Sequence, residues 1–405
     1  MKIAFRINKN NRYSIIPLVT TLEKFDSEVE IMLVRDFETI FSLEPSDTIL
    51  AYSFTSMDYD NVFEEVSYLK NKYTLIAGGA HPSAMPLETL KMGFDYVFVG
   101  DGEENIVNFV KGERPKSRIF DGVTKRINLN DYPFFSERKK LFMPFEITRG
   151  CPFSCGYCQT PRLAGRKVRH RKVENVISQA KIGIKNGKYI GRFITPNAFG
   201  YGSPNGVFPD VEAIEYLLKS LKELGMKEIY FGTFPSDVRP ESVTPEVLKL
   251  VARYCDNNSI VLGVQSGSNR ILKLIKRGHD VETAEKAIKI IHEEGFIPHV
   301  DFIFGFPFET KEDVEQTFDF IDKIIEKYNA KIHSHTFMPL PGTPLSVFGA
   351  GVIDQKMRKK IGSYALEGKL DGYWHKQELI AKRLEKLISE SKENVLNQNF
   401  QTYTD

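Results

Sequence analysis

The sequence predicts an α/β protein with a flavodoxin-like (Rossmann) domain, a partial parallel barrel and a short helical cap. Short apolar runs alternate with amphipathic stretches along the chain, which is typical of parallel strands joined by crossover helices. A polar stretch over 111–133 separates two such regions. The 405 residues are enough for two or three domains, each with its own core.

Composition excludes several classes of protein. Hydrophobic residues make up 41% and charged residues 27% of the chain, as in ordinary soluble proteins. A formal charge of +2 gives no general attraction to nucleic acid or anionic lipid, so we expect neither as a partner. No run reaches the roughly 18 apolar residues of a membrane span, and MKIAFRINKN does not resemble a signal peptide. We therefore expect a cytoplasmic protein with no membrane partner.

The first predicted domain covers residues 1–125, and a linker follows over 126–142. An amphipathic helix is predicted over 58–72, because its apolar residues recur every three or four positions. Five strands in about 100 residues fit a doubly wound sheet, whose ligands bind at the carboxyl ends of the strands. The predicted strands are 2–7, 29–34, 48–54, 73–79 and 95–100.

The second predicted domain is a partial (β/α)6 TIM-type barrel over 143–350, with a helical extension over 351–405. Helices are predicted over 211–225 and 281–295, the latter ending at Gly295. Six strand–helix units place the chemistry on the loops at the carboxyl end of the barrel. The predicted strands are 145–150, 191–196, 228–234, 260–265, 299–306 and 331–338.

Three of the four cysteines lie in CPFSCGYC, directly after the first barrel strand. Cys151, Cys155 and Cys158 could hold three irons of a [4Fe–4S] cluster and leave one iron open for another ligand. A tetrahedral zinc site would need a fourth ligand, and Cys255 is distant in sequence. Cys255 reads instead as a small buried hydrophobe. The alternative for the three is unrelated buried thiols.

The spacing C-x3-C-x2-C, with Tyr157 before the last cysteine, resembles the radical S-adenosylmethionine (SAM) superfamily. In that family SAM chelates the open iron, and the reduced cluster cleaves it to a 5′-deoxyadenosyl radical. The resemblance implies that Cys151, Cys155 and Cys158 hold a [4Fe–4S] cluster. It also implies that Tyr157 lies near the adenine of SAM.

Segments further along resemble the barrel of the methylthiotransferase-like branch of this superfamily. They are NAFGYG (197–202), FPSDVRPE (234–241), LGVQSGSNRILKLIKRGH (262–279) and DFIFGFPFET (301–310). The resemblance implies that SAM is bound by residues after strands two to five: Asn197, Ser236, Arg239, Gly263, Gln265, Ser266, Gly305 and Pro307.

Two of these signals have plainer readings. GFPFET also fits a βα turn in which Thr310 caps the next helix and Asp313 completes a capping box. GRKVRHRK (165–172) carries six basic residues in eight. Such a patch is more often a solvated face than a contact to substrate or nucleic acid.

The first domain resembles the cobalamin-binding domain that precedes many radical SAM barrels, through residues 75–106. Methylthiotransferases carry three further cysteines there, whereas residues 1–150 contain none. The loop after the first strand, RINKNNRYSIIP, contains no histidine, so we expect cobalamin without a histidine lower ligand. The residues implied to line the cobalamin pocket are Ser53, Thr55, Ser56, Gly78, Gly79, His81, Gly100 and Glu103. His81 could instead be a hydrogen-bonding residue with no ligand, and Asp101 or Gly102 a plain helix cap.

Together the resemblances imply a cobalamin-dependent radical SAM methyltransferase that methylates an unactivated sp3 carbon. An archaeal set of such proteins includes one that methylates a glutamine α-carbon of methyl-coenzyme M reductase, which would make the substrate a protein or peptide. A ferredoxin or flavodoxin would supply electrons. The alternatives are a related enzyme of ring formation or rearrangement, an RNA-modifying methylthiotransferase, and a non-catalytic cobalamin or SAM sensor. No side chain is identified as a catalytic acid or base.

Overall fold

The computed structural model describes residues 1–25 and 28–391. The chain divides into two compact units. Unit 1 contains residues 1–143, 162–164 and those from 388 onward, and unit 2 contains residues 144–161 and 165–387. The predicted α/β class is confirmed. Residues 392–405 of the predicted extension lie outside the described residues.

Unit 1 is built around a six-stranded parallel sheet in the order β2-β1-β3-β4-β5-β6. Its strands are β1 (Lys2–Arg6), β2 (Glu30–Val34), β3 (Thr48–Ser53), β4 (Thr74–Gly78), β5 (Tyr96–Gly100) and β6 (Ile119–Gly122). Its helices are α1 (Arg12–Phe25), α2 (Tyr59–Leu69), α3 (Ala80–Ala84), α4 (Pro86–Met92) and α5 (Glu103–Val110). The order is that of a flavodoxin-like sheet with one strand added at its edge.

The added strand β6 lies in the stretch that the sequence analysis assigned to a polar connector. Within β6, only Ile119 and Phe120 have apolar side chains. Phe120 is buried and stacks on Phe98 of β5 with ring centroids 4.6 Å apart. The predicted linker 126–142 also belongs to unit 1, where Phe134 is fully buried.

Unit 2 contains the barrel strands. Its strands are β7 (Phe145–Glu146), β8 (Thr148–Arg149), β9 (Arg169–His170), β10 (Ile190–Ile194), β11 (Glu228–Tyr230), β12 (Ser259–Gln265), β13 (Ile297–Phe304), β14 (Lys331–Thr336) and β15 (Leu370–Asp371). The helices after residue 143 are α6 (Thr160–Leu163), α7 (Val173–Lys185), α8 (Val211–Leu224), α9 (Pro245–Tyr254), α10 (Asn269–Leu274), α11 (Val281–Glu293), α12 (Lys311–Tyr328), α13 (Gln355–Leu366) and α14 (Trp374–Glu390).

The barrel strands pair in parallel in the orders β7-β10-β11 and β12-β13-β14-β15. The two sheets are joined by backbone hydrogen bonds from Val261 N to Gly232 O (2.9 Å) and from Val238 N to Val261 O (2.9 Å). Strand β15 was not predicted: the helical extension contributes a short seventh strand after α13. Strand β8 pairs antiparallel with β9, so the predicted strand 145–150 is divided into two short strands.

Local sequence signals fix the barrel helices. Helix α8 begins after Asp210, whose carboxylate accepts a hydrogen bond from Ala213 N at 3.0 Å. It ends at Gly225, where the backbone is left-handed (φ +103°). Its apolar residues face the core at helical spacing: Ile214, Leu217, Leu218 and Leu221. Among the described helices, none is long and apolar enough to cross a membrane.

Candidate functional site

The three clustered cysteines lie on a loop after β8 that backbone hydrogen bonds hold in place. Cys151 N donates to Gly165 O (3.0 Å), and Gly156 N donates to Ile275 O (2.8 Å). Gly156 O accepts from Leu345 N (3.0 Å). A Cβ atom at Gly156 would lie 2.8 Å from the Leu345 side chain, so a larger residue there would displace Leu345. The loop is therefore fixed against the segments that follow α10 and β14.

Two buried arginines adjoin Cys155. The Nη1 atoms of Arg239 and Arg277 each lie 3.6 Å from the Cys155 sulfur. The Arg239 guanidinium also stacks on the Phe153 ring, 3.4 Å from its centroid. Arg277 donates to Gly263 O, and Arg239 donates to Arg277 O. The Nε atoms of both arginines are buried and have no hydrogen-bond partner among the described residues.

These cations separate the acidities of the three thiols. Burial raises the pKa of Cys151 to about 11 and also raises that of Cys158. Burial acts on Cys155 in the same sense, but the charges of Arg277 and Arg239 outweigh it and bring the Cys155 pKa below its ordinary value. Cys155 is therefore the thiol most readily deprotonated.

The donor set fits a [4Fe–4S] cluster. Three thiols on one loop can each ligate an iron, and the two buried guanidinium groups can offset the negative charge that thiolate ligation brings. Their unpartnered Nε atoms leave donor capacity for an anionic group. Cys255 lies elsewhere, at the end of α9, where burial raises its pKa.

Of the residues predicted to bind SAM after the second and third barrel strands, Asn197 and Arg239 share a hydrogen-bond network, and Ser236 is bonded within its own turn. Asn197 Oδ1 accepts hydrogen bonds from Arg239 N (3.2 Å) and Ser242 Oγ (3.0 Å). Asn197 Nδ2 donates to Gly206 O (3.3 Å). Ser236 is fully buried, and its hydroxyl donates to Thr233 O (2.8 Å). The side chains of Asn197 and Ser236 thus hold loops in shape, and contact with SAM stays a prediction.

At the end of β12, the predicted residue Gly263 contacts Arg277. A Cβ atom at Gly263 would lie 2.8 Å from Arg277 Nη2 and 2.7 Å from Gln265 Nε2. Gln265 has a positive φ of 83°. Ser266 is fully buried, with its hydroxyl 3.3 Å from that of Thr317 on α12. Gly263 and Gln265 lie beside Arg277 and hence near the cysteines, whereas the Ser266 side chain faces α12.

After β13, a buried carboxylate organises the predicted loop. Glu309 accepts hydrogen bonds from Gly305 N (2.8 Å) and Phe306 N (2.9 Å), while burial raises its pKa to about 8. Gly305 has a positive φ of 81°, and Pro307 is exposed. Tyr157 packs against Phe306, with ring centroids 6.4 Å apart. The capping box of Thr310 and Asp313, the plainer reading of GFPFET, is confirmed.

Sequence reasoning missed several charged residues of this site. Arg277 and His279 lie in the quoted segment 262–279, and their position directly after a short helix was the available signal. Glu241 Oε1 is 2.8 Å from Arg239 Nη2, and Glu241 Oε2 is 3.4 Å from His279 Nδ1. Burial opposes ionisation of Glu241, but His279 and Arg239 lower its pKa to about 2.

Two buried carboxyls, Asp237 and Asp301, were also missed. Burial raises the pKa of Asp237 to about 6. Burial and the nearby Asp237 raise the pKa of Asp301 well above its ordinary value, and the positive charge of Arg277 opposes this rise. Asp301 lies in the middle of an apolar strand, so hydrophobic periodicity alone did not distinguish it.

The basic segment 165–172 is only partly a solvated face. Arg166, Lys167 and Lys172 are exposed. Arg171, however, is almost completely buried, with Nη2 3.1 Å from Glu146 Oε2. His170 Nδ1 lies 2.8 Å from the Thr148 hydroxyl. The segment is therefore a solvated face in part, and β8 and β9 fold its remainder back onto the barrel.

In unit 1, the predicted cobalamin residues gather at the carboxyl edge of the sheet. Ser53 and Gly78 end neighbouring strands and pair in register. Thr55 caps a short 3-10 turn through Asp58, with 2.7 Å between the Thr55 hydroxyl and Asp58 Oδ2. Gly100 ends β5, and Glu103 begins α5 as a buried residue. The sheet brings these residues to one edge, and their contact with cobalamin stays a prediction.

His81 makes the side-chain hydrogen bonds of its alternative interpretation, and its contact with cobalamin stays a prediction. It is fully buried, with Nδ1 2.8 Å from the Ser56 hydroxyl and Nε2 3.0 Å from Glu88 Oε2. Its ring stacks on Phe54. His81 is the only histidine in residues 1–143. Both of its ring nitrogens are engaged, so unit 1 fits cobalamin bound without a histidine beneath cobalt.

Comparison with solved structures identifies the fold. TsrM from Kitasatospora setae, a radical SAM methyltransferase with cobalamin and a [4Fe–4S] cluster bound, is 15% identical with a TM-score of 0.68. That match covers 85% of this chain and 77% of TsrM. The cobalamin-dependent SAM radical enzyme OxsB, with aqua-cobalamin bound, is 18% identical with a TM-score of 0.63, over 79% of this chain and 51% of OxsB.

Sequence comparison adds two curated relatives. An uncharacterised protein of Methanopyrus kandleri is 25% identical over 337 residues, which are 68% of this chain and 62% of the relative. The tRNA-2-methylthio-N(6)-dimethylallyladenosine synthase of Moorella thermoacetica is 32% identical over 191 residues, 44% of this chain and 39% of the relative. The chain therefore spans less than two thirds of either relative.

The six-stranded doubly wound sheet and the partial parallel barrel match the fold of these two cobalamin-containing radical SAM proteins. Residues 145–321 match the family described as the radical SAM superfamily.

Proposed function

We propose that this protein is a cobalamin-dependent radical SAM methyltransferase acting on an unactivated sp3 carbon. One observation carries the proposal: a single chain combines three cysteines beside two buried arginines with a cysteine-free doubly wound unit of the cobalamin-enzyme fold. When bound, the cluster, SAM and cobalamin would supply hydrogen-atom abstraction and methyl transfer.

The side chains of unit 2 would bind and orient the cluster and SAM. Cys151, Cys155 and Cys158 would ligate three irons, and the loop hydrogen bonds would keep these thiols in place. Arg239 and Arg277 would offset negative charge next to Cys155. The hydrogen bonds of Asn197 and Glu309 would fix the loops that are proposed to surround SAM.

The substrate is proposed to be a protein or peptide, with the α-carbon of a glutamine in methyl-coenzyme M reductase as the specific candidate. A ferredoxin or flavodoxin is proposed as the electron donor, and the cytoplasm as the location. Ring formation or rearrangement within the same architecture is the rival chemistry. A methyl group transferred to the product would distinguish methyl transfer from ring formation or rearrangement.

A methylthiotransferase is the second candidate. Two relatives that are 28% and 32% identical are named tRNA-2-methylthio-N(6)-dimethylallyladenosine synthases. The chain has four cysteines, and none precedes Cys151. A second cysteine-ligated cluster in residues 1–150 therefore has no ligands. An iron count near eight per chain rather than near four would favour this candidate.

The proposal is tested with anaerobic full-length protein loaded with cluster and hydroxocobalamin, SAM and a strong reductant. Without any substrate, we expect both 5′-deoxyadenosine and S-adenosylhomocysteine, because the cluster and the cobalamin would each consume SAM. Cys155→Ala should abolish 5′-deoxyadenosine. Absence of S-adenosylhomocysteine from the wild-type protein would overturn the methyltransferase proposal.

Glutamine-containing peptides deuterated at the α-carbon extend the test to the radical step. We expect a methylated peptide and deuterium in 5′-deoxyadenosine. Methylated peptide with unlabelled 5′-deoxyadenosine would refute hydrogen abstraction from that carbon. Label transfer without methylation would favour the rival radical chemistry.

A further inference from the structure

Two histidines and an aspartate meet on three neighbouring barrel strands. His299 lies on β13, His333 on β14 and Asp371 on β15, and one ligand atom from each lies within 4.8 Å of those of the other two. His333 Nδ1 is hydrogen-bonded to Asp371 Oδ1, and His299 Nε2 lies 3.5 Å from the same oxygen. The Nε2 atom of His299 is buried and has no hydrogen-bond partner among the described residues.

Strand register places the three side chains on one face. On β13, Phe302 and Phe304 pack against aromatic residues of α12, so the alternate residues, including His299, face away from that helix. Asp301 pairs with His333, and His333 pairs with Asp371. Paired residues of parallel strands project from the same face of the sheet. His299, His333 and Asp371 therefore share the face opposite α12.

The backbone holds Asp371 in position. Gly372 has a positive φ of 126°, and a Cβ atom there would lie 2.3 Å from Ser334 O. The Ser334 hydroxyl donates to Asp371 O at 3.0 Å. Only glycine permits this close approach, and the turn fixes the carboxylate beside β14. The set is thus built before any ion arrives.

The neighbouring His335 is hydrogen-bonded to Gln377. Gln377 Oε1 accepts from Thr336 N (2.9 Å), so its Nε2 donates to His335 Nδ1 (3.1 Å). The His335 ring lies against that of His333, with centroids 4.7 Å apart. His335 therefore supports the His333 ring, while His299, His333 and Asp371 remain the three candidate ligands.

We propose that His299, His333 and Asp371 bind one divalent transition-metal ion of the zinc class. Two imidazoles and one carboxylate are a ligand set that suits such an ion better than calcium or magnesium, which prefer oxygen ligands. The Asp371 side chain is 63% exposed, so solvent can reach the ion and complete its coordination. The ion would join the two-residue strand β15 to β13 and β14. This site is separate from the cysteine site and does not depend on the proposed methyltransferase activity.

The test uses full-length protein whose cysteines are occupied by a reconstituted cluster. The protein is washed briefly with a chelator, incubated anaerobically with zinc sulfate and desalted, and zinc and iron are measured together by mass spectrometry. We expect about one zinc ion per chain in the wild type. In His333→Ala the zinc Kd should rise by more than the roughly 10- to 100-fold that loss of a supporting residue costs.

His292→Ala is the matched control, because His292 is exposed on α11 and outside the set. It should bind zinc as the wild type does. His299→Gln should lose zinc as His333→Ala does, and an unchanged iron count in both variants shows that they are folded. Zinc should also slow hydrogen exchange of residues 367–373 in the wild type and in His292→Ala, and should leave it unchanged in His333→Ala and His299→Gln.

Equal zinc content in the wild type and His333→Ala, or none in the wild type, would overturn the proposal. His333 and Asp371 would then be only a hydrogen-bonded pair. Failure of this site would leave the iron count and SAM cleavage unchanged, so it is distinguishable from failure of the proposed function.

Discussion

Arg277 is the buried cation on which the candidate site is centred. Its guanidinium contacts the Cys155 sulfur and donates to Gly263 O, and it influences the buried Asp237 and Asp301. A buried charge of this kind acts strongly on its neighbours, because little water screens it. Arg277 therefore links the cysteine loop to the strands on the far side of the barrel.

Replacing Arg277 by glutamine removes the charge and keeps a polar side chain. We expect the reduction potential of the reconstituted cluster to become more negative by on the order of 50 mV, since a cation beside a ligating sulfur favours the reduced cluster. The measurement is a redox titration followed by electron paramagnetic resonance. Arg253→Gln, on an exposed arginine paired with Glu215, is the control. An unchanged potential at full iron content in Arg277→Gln would contradict this role.

Glu309 should make stability depend on pH. Burial raises its folded pKa to about 8, against an ordinary value of 4.5, so the folded state holds a proton that the unfolded state releases. Stability should therefore fall as pH rises between about 4.5 and about 8, by about 2–3 kcal/mol at most between pH 6 and 8. Urea unfolding of Glu309→Gln at these two pH values should show a smaller loss than the wild type.

Glutamine keeps the acceptor oxygen for Gly305 N and Phe306 N. The comparison therefore measures only the effect of ionising the Glu309 carboxyl on stability. Glu326→Gln, at an exposed position on α12, should follow the wild type. Equal pH dependence in all three proteins would show that Glu309 ionises freely in the folded state.

At the scale of elements, close backbone approaches explain the glycine that directly follows β4 and the glycine that ends β5. A Cβ atom at Gly79 would lie 2.8 Å from Phe54 N, and one at Gly100 would lie 2.7 Å from Gly122 O. Both glycines also have positive φ, of 99° and 73°. The chain itself therefore requires glycine at these two positions, whatever ligand binds there.

Gly79 and Gly78 form a matched pair for testing whether cobalamin binds at the carboxyl edge of the unit 1 sheet. Gly79→Ala should destabilise unit 1 by about 1–3 kcal/mol through backbone strain, and cobalamin binding should weaken with it. Gly78→Ala should leave stability unchanged, because its Cβ would be 3.6 Å from the nearest atom, and should weaken cobalamin binding alone. Urea unfolding and hydroxocobalamin titration separate the two effects. Normal binding by Gly78→Ala would remove Gly78 from the predicted pocket.

At the scale of the whole molecule, the residues predicted to hold the cluster and those predicted to bind cobalamin lie in different units. Unit 2 holds all four cysteines, whereas the residues predicted to bind cobalamin lie in unit 1. The only histidine of residues 1–143 has both ring nitrogens engaged by Ser56 and Glu88. Loading of one cofactor should therefore be separable from loading of the other.

Combined replacement of Cys151, Cys155 and Cys158 by alanine should lower iron from about four per chain to near zero. The same protein should still bind about one cobalamin, with a cob(II)alamin spectrum that lacks coupling to a histidine nitrogen. Cys255→Ala should keep its iron. A full cluster in the triple variant, or loss of cobalamin together with iron, would contradict this division.

The sequence alone determined the features that are encoded locally. The three clustered cysteines lie within eight residues, and a capping box spans four. The alternation of strands and helices follows from hydrophobic periodicity. The parallel sheets and the cysteine loop were therefore predictable. Only the tertiary structure showed that Arg277 adjoins Cys155, 122 residues away, and that Asp371 joins two histidines of other strands. It also showed that His81 is occupied by Ser56 and Glu88, and that β6 and β15 complete their sheets. Such contacts depend on which strands become neighbours, and hydrophobic period carries no information about which polar side chains meet across them.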